Sequence, residues 1–188
     1  MDTKAFDEFV KNQQEASPGG RIDWDRQRTE WLKYLDDLYA RIESFLERYT
    51  SSGQIKLDYR PVELNEEYLG TYPSRQMELR IGRQLVRLIP IGTLLIGSKG
   101  RVDVTGPAGR GQLVLVDSKA GGPADLFHIT VDIVDIGGRP QAKPRKPPKP
   151  TKDIEWEWRI APRPPERSFQ AFTKDAFLDL IVEVTLNG

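Results

Sequence analysis

Residues 23–49, DWDRQRTEWLKYLDDLYARIESFLERY, contain the strongest structural signal in the chain. Their apolar residues recur at intervals of three, four or seven positions, which places them on one stripe of an α-helix. Asp23 is a suitable N-cap, and Gly53 is a natural stop just beyond the stretch. At about 1.5 Å per residue, the helix is roughly 40 Å long and can cross a small sheet. The stripe consists of Trp24, Trp31, Leu35, Leu38, Ile42, Phe45 and Tyr49.

This apolar stripe permits two interpretations. The first is a long amphipathic helix that buries the stripe in the core of its own chain. The second is a stripe that stays partly exposed and pairs with a second copy, so that a homodimer forms through the long helix. The aromatic content of the stripe suits either arrangement.

The hydrophobic pattern changes after the helix from the helical period to a period of two. Met77, Leu79 and Ile81, for example, alternate with polar residues, as expected for a half-buried strand. Closely spaced strands joined by turns indicate an antiparallel sheet. The period becomes helical again over residues 172–186, where Thr173 is a suitable cap.

The predicted fold is therefore α+β. The long amphipathic helix and the C-terminal helix pack on a twisted, mainly antiparallel sheet of about six to eight strands, or on an open barrel. Residues 1–20 are predicted to form an N-terminal helical appendage, and residues 21–188 a single α+β domain. Residues 64–70 are predicted to form a helical turn, because Asn65 can cap it and acidic residues follow.

The composition excludes several kinds of protein. The chain has 188 residues, no cysteine and one histidine, which excludes disulfides, thiolate zinc sites and cysteine nucleophiles. No apolar run approaches the roughly 20 residues that span a bilayer, and residues 1–8 lack the apolar region of a signal peptide. We therefore expect a cytoplasmic protein without membrane contact. The formal net charge of zero argues against a globally basic nucleic-acid binder.

One segment contains the residue types of a metal site. Asp103 lies on one predicted strand, and Asp117 and Lys119 form an acid-x-lysine sequence at the end of the next. Two neighbouring carboxylates can hold Mg²⁺ or Mn²⁺, and a lysine beside them can orient or activate an attacking water. These residues resemble the core motif of the PD-(D/E)xK nuclease superfamily. The resemblance implies that Asp103 and Asp117 are metal ligands and Lys119 the catalytic lysine, with Glu66, Glu67 or an acidic residue of the long helix as an upstream carboxylate.

The same segment departs from the family in one respect. The family places a helix directly after the acid-x-lysine strand, whereas residues 120–124 here are followed by another predicted strand. The alternative interpretation is an ordinary β-hairpin. In that case Asp103 faces the solvent, and Asp117, Ser118 and Lys119 are polar turn residues.

Residues 139–152 form a basic, proline-rich segment that contains no acidic residue. Such a composition cannot support a packed core, so we expect a mobile loop between two strands. The whole chain has 28 basic and 28 acidic residues, so the chain without this loop has 22 basic and 28 acidic residues. The basic residues of the loop are Arg139, Lys143, Arg145, Lys146, Lys149 and Lys152.

The charge of this loop suits an acidic partner, a phosphate backbone or a groove that accepts polyproline II peptides. The loop contains no aromatic residue that could stack on bases, which argues against specific reading of nucleic acid. A solvated loop without any binding role is the simplest alternative.

These observations favour a non-enzymatic binding protein whose partner is another protein. The sheet surface and the six basic residues of the loop are the predicted partner-binding elements, and no cofactor is expected. The alternative is a metal-dependent nuclease that uses Asp103, Asp117 and Lys119 with Mg²⁺ or Mn²⁺. A third possibility is a nucleic-acid-binding accessory protein that binds through the basic loop.

Overall fold

The computed structural model describes residues 23–93, 98–126 and 154–186. The helices are α1, Trp24–Ser51, and α2, Lys174–Thr185. Asp23 caps α1 by accepting a hydrogen bond from the Arg26 amide at 3.0 Å, and Thr173 caps α2 in the same way. Both predicted caps are therefore the observed ones. The predicted appendage at 1–20 and the predicted loop at 139–152 lie outside the described residues.

The strands of the described chain form one open, seven-stranded sheet in which neighbours in sequence are neighbours in space. Every neighbouring pair is antiparallel, which confirms an α+β fold with an antiparallel sheet. The sheet does not close into a barrel. The strands are β1 (Ile55–Glu66), β2 (Gly70–Ile81), β3 (Gln84–Gly92), β4 (Ser98–Thr105), β5 (Arg110–Asp117), β6 (Trp156–Ile160) and β7 (Gln170–Ala171).

Both helices pack on the same face of the sheet. A Cβ atom on Gly100 of β4 would meet the Trp31 ring of α1. A Cβ atom on Gly111 of β5 would meet the Leu180 side chain of α2 at 2.5 Å. Gly100 and Gly111 point to the same side because both lie in register with the inward-facing residues of the β4–β5 pair.

The apolar stripe of α1 is buried against this face of the sheet. Because burial of apolar side chains is the main driving force of folding, the stripe contributes to the stability of its own chain. Trp24, Phe45 and Tyr49 of the stripe are partly buried against the same core, and the homodimer interpretation stays a prediction from the sequence. The fully or almost fully buried residues of α1 are Trp31, Leu35, Leu38, Tyr39, Ile42 and Leu46.

The β1–β2 hairpin differs from the sequence prediction. Residues 64–70, predicted as a helical turn, instead contain the end of β1, a tight turn and the start of β2. Gly70 at the turn has a φ of +70°, a conformation that glycine adopts without strain. Tyr68 of the turn stacks on Trp24 with ring centroids 5.1 Å apart. This contact ties the hairpin tip to the first turn of α1.

The two edges of the sheet are poorly suited to pairing with another strand. The outer strand β1 contains Pro61 and remains paired with β2 on both sides of it, so the proline nitrogen faces the free edge and offers no donor. The other outer strand, β7, has two residues. Short strands and edge prolines are common protections against edge-to-edge association. Any partner of this sheet is therefore expected to contact side chains on its face.

Candidate interaction surface

The sheet face opposite α1 and α2, called here the open face, carries most of the charged side chains of the strands. Side chains alternate between the two faces along each strand, so the register assigns every second residue to the open face. Seven basic residues lie on it: Lys56, Arg60, Arg80, Arg87, Arg101, Arg110 and Arg159. Four acidic residues lie among them: Asp58, Glu78, Asp103 and Glu157.

Glu78 of β2 lies at the centre of the largest charge cluster on the open face. Its carboxylate is 3.4 Å from Nε of Arg60 and 3.3 Å from Nε of Arg87, and it accepts a hydrogen bond from Gln76 at 3.1 Å. Burial by itself raises the pKa of Glu78, but the hydrogen bonds and charges of Arg87 and Arg60 outweigh it, so the pKa is lowered overall. The carboxylate therefore stays ionised and holds both arginines on the surface.

Apolar side chains interrupt the charged surface: Val114 and Val116 of β5 are buried, whereas two isoleucines of β3 are partly exposed. Ile89 is half-buried, and Ile91 is 38% exposed, which is high for a large apolar side chain in a strand. Ile89 lies in register with Asp103 of β4, whose Oδ1 is 2.9 Å from Nε of Arg101. The open face thus combines an apolar patch with a surrounding frame of arginines, an arrangement typical of the centre and rim of protein interfaces.

The structure does not bring the predicted nuclease residues together. Asp103 pairs with Gln112, which is five positions from Asp117 along β5, a separation of about 17 Å in an extended strand. An odd number of positions also puts Asp103 and Asp117 on opposite faces. One ion with ligands at about 2.0–2.6 Å cannot contact both carboxylates. Asp117 instead accepts a hydrogen bond from the backbone amide of Lys119 at 3.0 Å, as in a polar turn.

One of the candidates for the upstream carboxylate, Glu66, has a structural role. It is buried at the end of β1 and accepts hydrogen bonds from the Tyr72 hydroxyl and from the amide and hydroxyl of Thr93, the latter two both at 2.8 Å. Burial, followed by the neighbouring Glu66 carboxylate, raises the pKa of the Tyr72 hydroxyl. A Cβ atom on Gly92 would lie 2.6 Å from the Glu66 carboxyl carbon, so glycine is needed there. Glu66 therefore joins the β1–β2 hairpin to the end of β3.

Within residues 23–93, 98–126 and 154–186, no group of three or more histidine, cysteine, aspartate or glutamate side chains could hold a metal ion. The six predicted partner-binding residues of the basic loop and the single histidine, His128, lie outside these ranges. The arginines of the open face were not singled out from the sequence. The sequence does contain a pattern that could have identified them. Arg80 alternates with apolar residues in β2, as Arg87 does in β3, and this alternation predicts that both arginines lie on the face of the sheet opposite the core.

Comparison of the chain with protein-family models, with curated proteins and with solved structures gave no match. No helix in the described part of the chain is long and apolar enough to cross a membrane. Function is therefore inferred from the residues of the open face themselves.

Proposed function

We propose that this chain is a non-enzymatic binding protein whose open face docks an acidic segment of another protein. One observation carries the proposal: seven basic and four acidic side chains share the face opposite both helices with the partly exposed isoleucines of β3. Arginine is the cation best suited to such a surface, because its planar guanidinium binds carboxylates in a bidentate manner. A net positive surface also steers an acidic partner toward it.

A protein partner suits this surface better than a nucleic acid does. Asp58, Glu78, Asp103 and Glu157 are spread among the arginines and would repel a phosphate backbone. The one aromatic residue that the register assigns to this face in β1–β5, Tyr72, is buried, so bases would have no exposed stacking platform there. Alternating charges around an apolar patch instead match a protein surface with acidic residues and a few apolar side chains.

The basic loop at 139–152 has the same sign of charge as the open face. Its role in partner binding, like the cytoplasmic location, stays a prediction from the sequence. The nuclease alternative gains nothing from the positions of Asp103, Asp117 and Lys119 and is not proposed.

The proposal can be tested by titrating the ¹⁵N-labelled protein with a short peptide rich in glutamate and leucine. We expect the largest amide shifts in the middle of β2, β3 and β4, with weaker binding at higher salt because the contacts are largely electrostatic. A single-stranded DNA of equal length and similar charge is the matched comparison, and we expect it to bind more weakly. Shifts confined to the outer surface of α1, or tighter binding of the DNA, would contradict the proposal.

A further inference from the structure

The ammonium group of Lys99 lies between two aromatic rings and a carboxylate. Its Nζ atom is 5.3 Å from the centre of the Tyr34 ring and 5.4 Å from that of Trp156. It donates a hydrogen bond to Oε2 of Glu30 at 2.5 Å. Both rings are within the distance of about 6 Å at which cation–π attraction acts. Glu30, Tyr34 and Trp156 are called here the cation cage.

The walls of the cage and the group that fills it come from different elements. Glu30 and Tyr34 are four positions apart on α1 and therefore lie on the same side of the helix. Trp156 is the first residue of β6 and pairs with Asp117 of β5. Trp158, two residues further along β6, donates a hydrogen bond at 3.2 Å to the Tyr34 carbonyl and so fixes β6 against the helix.

Lys99 reaches the cage because of an irregularity in β4. Ser98 pairs with Val116 and Gly100 with Leu115, so Lys99 is an extra residue without a partner in the ladder. A bulge of this kind changes the direction in which a side chain points. The walls thus stand on regular elements, whereas the residue inside the cage stands on an irregular one and can leave without breaking a ladder pair.

The cage opens into a surface cleft of about 460 Å³, which is large enough for more than an ammonium group. Lys33, Asp37 and Ile154 line the cleft beside the cage residues. Glu30 is also 2.9 Å from Nε of Arg26, and the pKa of Glu30 is lowered by the hydrogen bonds from Lys99 and Arg26. The cage therefore keeps a negative charge at its base.

We propose that the cation cage is a binding site for an alkylated ammonium group, such as the side chain of a methylated lysine, and that Lys99 fills it when no ligand is bound. Aromatic faces favour quaternary ammonium groups, which lose less hydration than a lysine ammonium on entering. The Glu30 and Lys99 side chains are 34% and 20% exposed, so solvent weakens their ion pair and a ligand can displace Lys99. This site goes beyond the proposed function, since it lies on the helix side of the sheet.

The test is a titration with Nα-acetyl-Nε-trimethyllysine methylamide, followed by isothermal titration calorimetry in every variant and, where Trp156 is present, also through its indole N–H signal. We expect the Lys99→Ala variant to bind this probe at least about tenfold more tightly than the wild type, which corresponds to a cage that Lys99 fills about nine-tenths of the time. The unmethylated lysine derivative should bind more weakly than the trimethylated one. Lys99→Met, which keeps an apolar stem, replaces Lys99→Ala if melting curves show that the alanine variant is unfolded.

Two further variants separate the cage from the overall charge. Lys119→Ala removes a nearby lysine outside the cage and should leave the affinity at the wild-type value. Trp156→Leu in the Lys99→Ala background should abolish binding, because one aromatic wall is lost. The proposal is overturned if Lys99→Ala binds no more tightly than the wild type, or if the Trp156→Leu double variant still binds; Lys99 would then be a structural ion pair only.

Discussion

Gly100 occupies the point at which the Trp31 ring of α1 packs on β4. A Cβ atom at this position would overlap ring atoms of Trp31, and the ring is fully buried and cannot move outward. We therefore predict that Gly100→Ala lowers the free energy of unfolding by about 1–3 kcal/mol, the usual cost of overpacking, as measured by urea denaturation.

Gly109, in the β4–β5 turn, is the matched control for this substitution. A Cβ atom there meets nothing within 4 Å, so Gly109→Ala should change the stability by less than about 0.5 kcal/mol. Equal losses in the two variants would mean that the packing of α1 on β4 differs from the one described.

The contribution of Glu78 to the stability of the protein depends on pH. Burial raises the pKa of Glu78, and the two arginines lower it further than burial raises it, so its folded-state pKa lies below the ordinary value. The resulting stabilisation is complete above the unfolded-state pKa of about 4.3 and is lost as the pH falls through the folded-state pKa.

We therefore predict that the wild type is more stable than Glu78→Gln at pH 7 and that the difference shrinks below about pH 5. Urea denaturation of both proteins at neutral and acidic pH measures it. A difference in the free energy of unfolding that grows as the solution becomes more acidic would show that the carboxylate is not held ionised by Arg60 and Arg87.

At the level of elements, α1 depends on its buried stripe. Leu38 is fully buried between the helix and the sheet, and we predict that Leu38→Ala costs about 2–5 kcal/mol of the free energy of unfolding. Asp37→Ala, at the exposed neighbouring position, should cost less than about 0.5 kcal/mol.

The same variant tests the homodimer interpretation of the stripe. If Leu38 contributed to an interface between two copies, Leu38→Ala would shift the sedimentation coefficient toward that of a smaller species and would make stability depend on protein concentration. We expect unfolding of both proteins to be independent of concentration, because Leu38 packs within its own chain.

The positions of the two helices could be predicted from the sequence because helix caps and apolar stripes depend on residues that are close in sequence. Asp23 and Thr173 cap the helices they were predicted to cap, since a cap depends on a few neighbouring residues. The hairpin at 64–70 was predicted wrongly as a helical turn, because Asn65 and the acids beside it also suit a helix start. Strand pairing with residues further along β2, which the local pattern does not contain, determined the outcome.

The positions of the candidate site residues depended on register, which spacing alone does not determine. Juxtaposition of Asp103 and Asp117 requires a turn centred on residue 110. The observed turn spans residues 106–109, closed by a hydrogen bond of 2.9 Å from the Gly106 amide to the Gly109 carbonyl. This shorter turn places Gln112 opposite Asp103. The bulge at Lys99 could not be predicted from the sequence either, because a bulge depends on contacts with other elements, here α1 and β6.

At the scale of the whole molecule, a net charge of zero conceals a separation of charge. The open face has an excess of basic residues, so the remainder of the chain has an equal excess of acidic ones. The sequence prediction placed the basic excess in the loop at 139–152, and the strands add a second basic surface to it. A binding protein with one basic face distinguishes partners by the sign of their charge and by their approach direction.

The most direct test of the proposed function is a comparison of two double charge reversals. Arg80→Glu with Arg110→Glu changes the open face at exposed positions other than Arg60 and Arg87, the two arginines that contact Glu78. Arg48→Glu with Lys174→Glu makes the same change of net charge on exposed positions of the two helices. The affinity of each variant for the glutamate- and leucine-rich peptide is measured at the same salt concentration.

We predict that the open-face variant binds the peptide at least about tenfold more weakly than the wild type, or about 1.4 kcal/mol, and that the helix variant differs by less than about twofold. This result would establish that the open face, and not the overall charge, contacts the acidic partner. Equal weakening by both variants, or unchanged binding by the open-face variant, would contradict the proposed function.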